Sequence, residues 1–151
     1  GTYGQTVPAV SEGRATTFAG DTTLIQLSRS SDPSTGFRTN IGVVNTVGES
    51  INVDFDIRWA DGSLINTLTR TLRPFEHRQI NDVFNVAGAG DVDDGYAIVR
   101  TTTEDGAFIA YASVVDNGSG DAVFILGSAD DCAPEVLDDR LVVFESFMRP
   151  G

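Results

Sequence analysis

The sequence predicts an all-β fold, an antiparallel β-sandwich with one short helical crossover, and three observations carry that prediction. In 51–59 the apolar residues Ile51, Val53, Phe55, Ile57 and Trp59 alternate with Asn52, Asp54, Asp56 and Arg58. A period of two over this length describes a strand with one buried and one wet face. Apolar runs of strand length recur along the chain with turn chemistry between them, such as Gly48-Glu49-Ser50, Asp61-Gly62 and Asp116-Asn117-Gly118, which is the rhythm of a sandwich or barrel. Helical character is confined to one short stretch, which leaves no helices for a parallel α/β arrangement.

In chain order, 1–10 reads as an edge strand or an incoming segment, interrupted at Pro8, which has no amide to give to a ladder. The run 22–28, TTLIQLS, is the first full strand, and 30–36, SSDPSTG, is a loop whose side chains bond their own backbone. The stretch 37–72 is expected to form three consecutive antiparallel strands joined by turns at Gly48-Glu49-Ser50 and Asp61-Gly62, whose residues tolerate the positive φ that tight hairpins need. Pro74 breaks the pattern and 77–80 resumes it. Asn81 or Asp82 then caps one or two helical turns that end at Gly88. So short a helix requires Val83, Phe84 and Val86 to pack on the sheet. An acidic turn at 90–95 leads to a strand at 96–103, a turn at 104–106 leads to one at 107–115, and 116–120 closes a hairpin onto 122–126.

A sandwich over 1–127 is followed by an acidic linker at 128–140 and a terminal strand within 141–151. In that strand Leu141, Val143 and Phe147 alternate with Val142, Phe144 and Met148, so both faces are apolar. A strand of this kind has to be covered on both sides. The cover is either the core and a loop of its own sandwich or a neighbouring molecule, and these six residues are the expected interface.

Composition narrows the function. The 22 acids and 10 bases give a formal charge of -12, a surface that repels phosphates and anionic headgroups, so neither nucleic acid nor direct membrane insertion is expected. All the bases are arginine, which removes lysine Schiff-base chemistry and lysine isopeptide crosslinks. Cys132 is the single cysteine and makes no internal disulfide or cysteine-based zinc site. A lysine-free chain rich in Gly, Thr, Asp and Val points to export, to the outside or the surface of a bacterial cell. Beginning at Gly1, it reads as a processed chain or an excised domain.

Candidate chemistry is sparse. His77 is the single histidine, no GxSxG elbow accompanies it, and a catalytic triad has no base. Gly88-Ala89-Gly90 follows a helical turn where a dinucleotide fingerprint requires a strand, so it is a helix stop. Asp54 and Asp56 share a wet strand face, the least implausible place for a glycosidase pair, but no apolar pocket is there to raise a carboxyl. Asp91, Asp93 and Asp94 are the candidate calcium ligands, because calcium takes several oxygens from a short loop. Asp116, Asn117 and Asp121 form a weaker second cage, and Asn117-Gly118-Ser119 matches a glycosylation sequon. Tyr3, Tyr96 and Tyr111 are candidates for a sugar platform or for packing. No catalytic or cofactor-binding residue is expected.

Several stretches carry a likeness: RTNIGVVN at 38–45, DGSL at 61–64, QINDVF at 79–84 and YASVVDNGSGD at 111–121, with GTYGQ at 1–5 leading to Pro8. Together they resemble an immunoglobulin-like β-sandwich module that recurs in secreted, multidomain bacterial proteins. The likeness covers about 1–127 and implies no catalytic residue; it does not reach 141–148. The expected role is that of an extracellular structural or adhesive module that docks on neighbouring copies or adjacent domains of the same protein. In its sharper form it is a filament subunit, with 141–148 or 1–10 completing the sheet of the next copy. The alternative is a calcium- or glycan-binding accessory module; an enzyme is not expected.

Overall fold

Ten strands and one short α-helix, preceded by a single turn of 3-10 helix (Glu12–Arg14), follow one another along residues 5–130, the part that the computed structural model describes. They are β1 (Thr16–Thr17), β2 (Asp21–Arg29), β3 (Phe37–Asn45), β4 (Ile51–Arg58), β5 (Leu64–Leu72), β6 (His77–Ile80), α1 (Val83–Ala87), β7 (Val92–Thr101), β8 (Ala107–Asp116), β9 (Ala122–Leu126) and β10 (Ser128–Asp130). One sheet has the order β1-β8-β3-β6, with β9 also paired to β8, and the other has the order β10-β2-β7-β4-β5. Every pairing is antiparallel. The fold is therefore the all-β sandwich that the alternation predicts, and α1 carries the chain from β6 in one sheet to β7 in the other.

The stretch 37–72 departs from the expected meander. β4 and β5 form a hairpin around the Asp61-Gly62 turn, but β3 lies in the opposite sheet between β6 and β8. The chain changes sheets after Asn45, whose side chain explains why. Asn45 is fully buried. Its Nδ2 donates to the carbonyls of Glu49 at 2.7 Å and Arg73 at 2.9 Å, and its Oδ1 accepts from the Val47 N–H at 3.0 Å. These bonds satisfy the backbone of a bend that has left both ladders, which a buried bend requires.

The core fills the space between the inner faces. Ile51, Val53, Phe55 and Ile57 of β4 meet Ile41 and Val43 of β3 and Phe108, Ala110 and Ala112 of β8 as one buried cluster. Trp59 does not continue the row as its parity predicts. A register irregularity follows Ile57, the Trp59 N–H turns to the Ser63 carbonyl at 2.9 Å, and the indole ends up 37% exposed. In β2 the register also shifts, between Leu24 and Leu27, with Gln26 at φ 60. That bulge buries two leucines whose odd spacing would otherwise send them to opposite faces.

The helix is where the sequence puts it, with differences in detail. Asp82 is the N-cap residue, but its side chain caps nothing; its Oδ1 accepts from Arg29 Nε at 2.9 Å instead. Val83 and Phe84 are buried, whereas Val86 is exposed. Gly88, at φ 95, ends the helix. The expected turn at 90–95 is mostly strand, since β7 begins at Val92, and residues 5–10 form no strand. The linker expected from 128 begins as β10, which pairs with β2. Gly127 permits this change of sheet, because a Cβ there would collide with Thr22. Tyr3, Cys132 and the six residues Leu141, Val142, Val143, Phe144, Phe147 and Met148 lie outside the described residues.

Asn45→Ala leaves two carbonyls and one N–H of the bend without their partner. It is expected to cost about 2–4 kcal/mol, read as a lower urea midpoint; an unchanged midpoint would remove Asn45 from its role at the bend. A second expectation concerns acid. The Arg73 N–H (2.7 Å) and then Arg78 Nη2 (3.0 Å) bond the Glu76 carboxylate and hold it at about 2. A carboxyl depressed by folding stabilises fully above its ordinary value near 4.5 and loses that stabilisation as pH falls toward about 2. Glu76→Gln should therefore flatten the acid limb of a stability–pH curve between those values while leaving its neutral plateau in shape.

Candidate functional site

The most built feature of the surface is an aromatic groove on the outer face of the sheet that contains β8. Alternation sends Gly42 and Val44 of β3, Ile109 and Tyr111 of β8, His77 and Gln79 of β6, and Phe124 and Leu126 of β9 to that face. Register brings them together: Gly42 lies opposite both Tyr111 and Gln79, and Val44 lies opposite both Ile109 and His77. A Cβ at Gly42 would collide with the Tyr111 ring. Only a residue without a side chain lets the tyrosine lie across β3 and reach β6.

Three contacts hold the ring there. Tyr111 OH donates to Gln79 Oε1 at 2.9 Å and lies 2.8 Å from His77 Nε2. A phenol has one hydrogen, so with that hydrogen given to Gln79 it accepts from His77, whose Nε2 is then the N–H. The His77 and Tyr111 rings are nearly parallel, 11° apart with centroids 5.9 Å from each other. Phe124 continues the row, with its centroid 5.2 Å from Tyr111 and its plane tilted by 22°. Burial pushes the Tyr111 phenol above its ordinary value.

Residues 5–10 form one wall. Ser113 Oγ donates to Gln5 Oε1 at 3.2 Å, and Gln5 Nε2 is buried without a partner among the described residues. Val7 and Pro8 close a groove of about 540 Å³ with Val44, Ile109, Tyr111, Phe124 and Leu126. Its floor is apolar, and its polar groups are the amides of Gln79 and Gln5, the His77 imidazole and the Tyr111 hydroxyl. Such a lining suits an apolar side chain or a flat neutral ring.

The other candidates are distributed elsewhere. On the outer face of the second sheet, Thr71, Thr69 and Thr67 of β5 donate to Asn52, Asp54 and Asp56 of β4 at 2.6, 2.7 and 2.8 Å. Each is the directly opposite pair in the register, a cross-strand ladder that locks the hairpin. Asp56 is buried, contrary to its expected wet position, and Arg100 Nη1 stands 3.1 Å from it with Arg58 Nη2 at 3.4 Å. Burial pushes its carboxyl up, but the bonds from Thr67 and Arg100 and the charge of Arg100 outweigh this and leave it below the ordinary range. That is the opposite of what a general acid needs.

The calcium candidates Asp91, Asp93 and Asp94 are not gathered into a cage; among the described residues no three His, Cys, Asp or Glu side chains converge. Asp91 Oδ1 accepts from the Ser31 hydroxyl and N–H at 2.7 and 2.6 Å, which lowers its carboxyl. Asp93 lies in an open recess with Trp59 and Asp61, and Asp94, at φ 55, lies in another with Ile25 and Gln26. Asn117 Nδ2 donates to the Asp32 and Thr35 carbonyls, and Asp116 Oδ1 accepts from the Gly118 and Ser119 N–H groups. Asn117 thus ties the β8–β9 turn to the loop at 30–36, and Asp116 braces that turn from within. Tyr96 and Tyr111 are on different sheets and form no shared platform.

Sequence reasoning passed over the groove because its residues come from separate strands. One signal was present: an isolated glycine inside Ile41-Gly42-Val43-Val44 marks a close approach. Gly42→Ala is expected to push Tyr111 off β3 and cost about 1–3 kcal/mol. Nuclear magnetic resonance should show the His77 Nε2 proton losing its bonded position, as it also does in Tyr111→Phe. An alanine variant that keeps that signal would mean the ring does not need the gap.

No protein-family model and no curated protein matches this chain. Among solved structures, the crystal structure of Thermotoga maritima 1070 is similar over 71% of this chain and 92% of that one, with a TM-score of 0.52 at 9% identity. A likeness at that identity is one of fold, and the fold shared is a two-sheet antiparallel β-sandwich.

Proposed function

We propose that the protein is a non-catalytic structural module that works outside the bacterial cell by contact, with the groove face seated against a neighbouring copy. The observation that carries this reading is the groove itself. Its central ring is fixed before any partner arrives, by Gly42 beneath it and by His77 and Gln79 at its tip. A preorganised aromatic anchor spends little conformational entropy on binding. The titratable groups favour the same reading, since Asp54, Asp56, Glu76 and Asp91 each serve a neighbouring strand or turn.

The likeness to immunoglobulin-like modules of secreted bacterial proteins supports the location. Its stretches RTNIGVVN, QINDVF and YASVVDNGSGD supply Gly42, Gln79 and Tyr111, the residues that meet in the groove. In the extended form of this reading, a terminal strand of one copy completes the sheet of the next and the modules make a filament. A second reading draws on the same rings: an accessory module that stacks a sugar on Tyr111 and bonds its hydroxyls to His77, Gln79 and Gln5.

Sedimentation of the full chain over a wide concentration range tests the first reading. The average mass should rise with concentration, and Tyr111→Ala should weaken association at least about 10-fold with the folded signature retained. A single species of monomer mass throughout would remove the neighbouring copy as partner. Ring shifts of Tyr111 and His77 on titration with neutral oligosaccharides would then favour the sugar reading.

A further inference from the structure

We propose that residues 141–148 of the same chain form a strand along the open edge of β9. β9 is Ala122-Val123-Phe124-Ile125-Leu126, five apolar residues without a charge or a proline. One edge pairs with β8, and among the described residues nothing pairs with the other. Natural edges of this kind are blunted by charge, proline, a bulge or a cover; β9 has no charge or proline, so it needs the cover.

The direction of its free backbone groups follows from the bonds at its two ends. The Asp116 N–H donates to the Asp121 carbonyl and the Gly127 N–H to the Ala110 carbonyl. Antiparallel bonding alternates from residue to residue, so Val123 and Ile125 also face β8. The N–H and C=O groups of Ala122, Phe124 and Leu126 therefore face the open edge.

Both faces of β9 are apolar, and each is partly bare. Phe124 and Leu126 form the groove wall, and Ile125 packs on the core. Val123, on the same side as Ile125, is 64% exposed. A strand laid beside β9 must accordingly be apolar on both faces. The sequence holds one such segment beyond Asp130: Leu141, Val143 and Phe147 on one side, Val142, Phe144 and Met148 on the other.

Reach and concentration choose the same chain as the donor. β10 ends at Asp130 beside Asp21, and the way back to Leu126 is four strand residues, roughly 13 Å. The intervening 131–140 span up to about 33 Å, enough to return and run antiparallel to β9. A tether of this length holds the segment at an effective concentration on the order of millimolar, which a second copy does not match in dilute solution. The inference is independent of the groove contact, whose centre at Tyr111 it leaves open.

Residue-resolved hydrogen exchange on the full chain tests it, with labelling at low and at high micromolar concentration. In the native protein the Ala122, Phe124 and Leu126 amides should exchange at least about 100-fold more slowly than in a Val142→Asp, Phe144→Asp variant, equally at both concentrations. Val123 and Ile125, bonded to β8, report whether the variant is folded. If the variant unfolds, the native chain decides alone: open-edge amides as fast as those of the exposed loop at 30–36 overturn the proposal. Protection that appears only at the higher concentration overturns the same-chain assignment and gives the edge to a second copy. Protection that survives both aspartates in a folded variant also overturns it.

Discussion

The buried amide of Asn45 is the point on which the arrangement turns. By bonding Val47, Glu49 and Arg73 it closes a bend that carries β4 away from β3 and into the other sheet. Had β3 and β4 paired as neighbours, β3 would have lost one of its two present partners. Because they do not pair, β6 and β8 flank β3, and Gly42 comes to lie between Gln79 and Tyr111. The groove is thus a remote consequence of one satisfied amide in the interior. A buried amide is costly unless all its bonds are made, and here its donors and its acceptor are all used.

The two outer faces of the sandwich are organised by opposite means. On one, Asn52, Asp54 and Asp56 are matched rung by rung with threonines, and Arg100 joins Asp56 to Asp21. The Asn52 amide oxygen and the Asp54 and Asp56 carboxylates there already have partners within the sheet, so they have little left to offer a ligand. On the other, Val44, Ile109, Tyr111, Phe124 and Leu126 leave apolar surface in a groove that residues 5–10 only border. Contiguous apolar surface rimmed by polar groups is the kind that marks contact. With a formal charge of -12 spread over the chain, a neutral apolar patch is also where a like-charged copy approaches at least cost.

The same logic of covering runs through the edges. A sandwich has ends to its sheets, and each exposes backbone groups unless something lies over them. β5 carries Arg70 and several threonines, and β6 carries His77, Arg78 and Gln79, so polar side chains guard those two edges. β9 has no such guard, and within the sheet that contains β8 it is the strand nearest in sequence to the apolar segment near the C-terminus. The pairing proposed for them joins the two least protected pieces of the chain.

Much of this molecule was legible before folding. Period-two alternation in 51–57, turn residues at 61–62 and 116–120, and the Asp82-to-Gly88 frame of α1 each act within a few residues, and each appears where local chemistry puts it. Legibility ended where a residue's neighbour came from elsewhere in the chain. Gly48-Glu49-Ser50 is turn chemistry in either topology, and Asn45 decided between a hairpin and a crossing by reaching Arg73. Trp59 kept the right parity but lost its ladder. Asp56 sat in a wet pattern but was buried by Arg100 from β7. Tyr111, His77 and Phe124, distant in sequence, became one surface through register across β6, β3, β8 and β9. Periodicity and turns are short-range properties written in adjacent residues; which sheet a strand joins, and which side chains then meet, is settled by long-range pairing and the burial that rewards it.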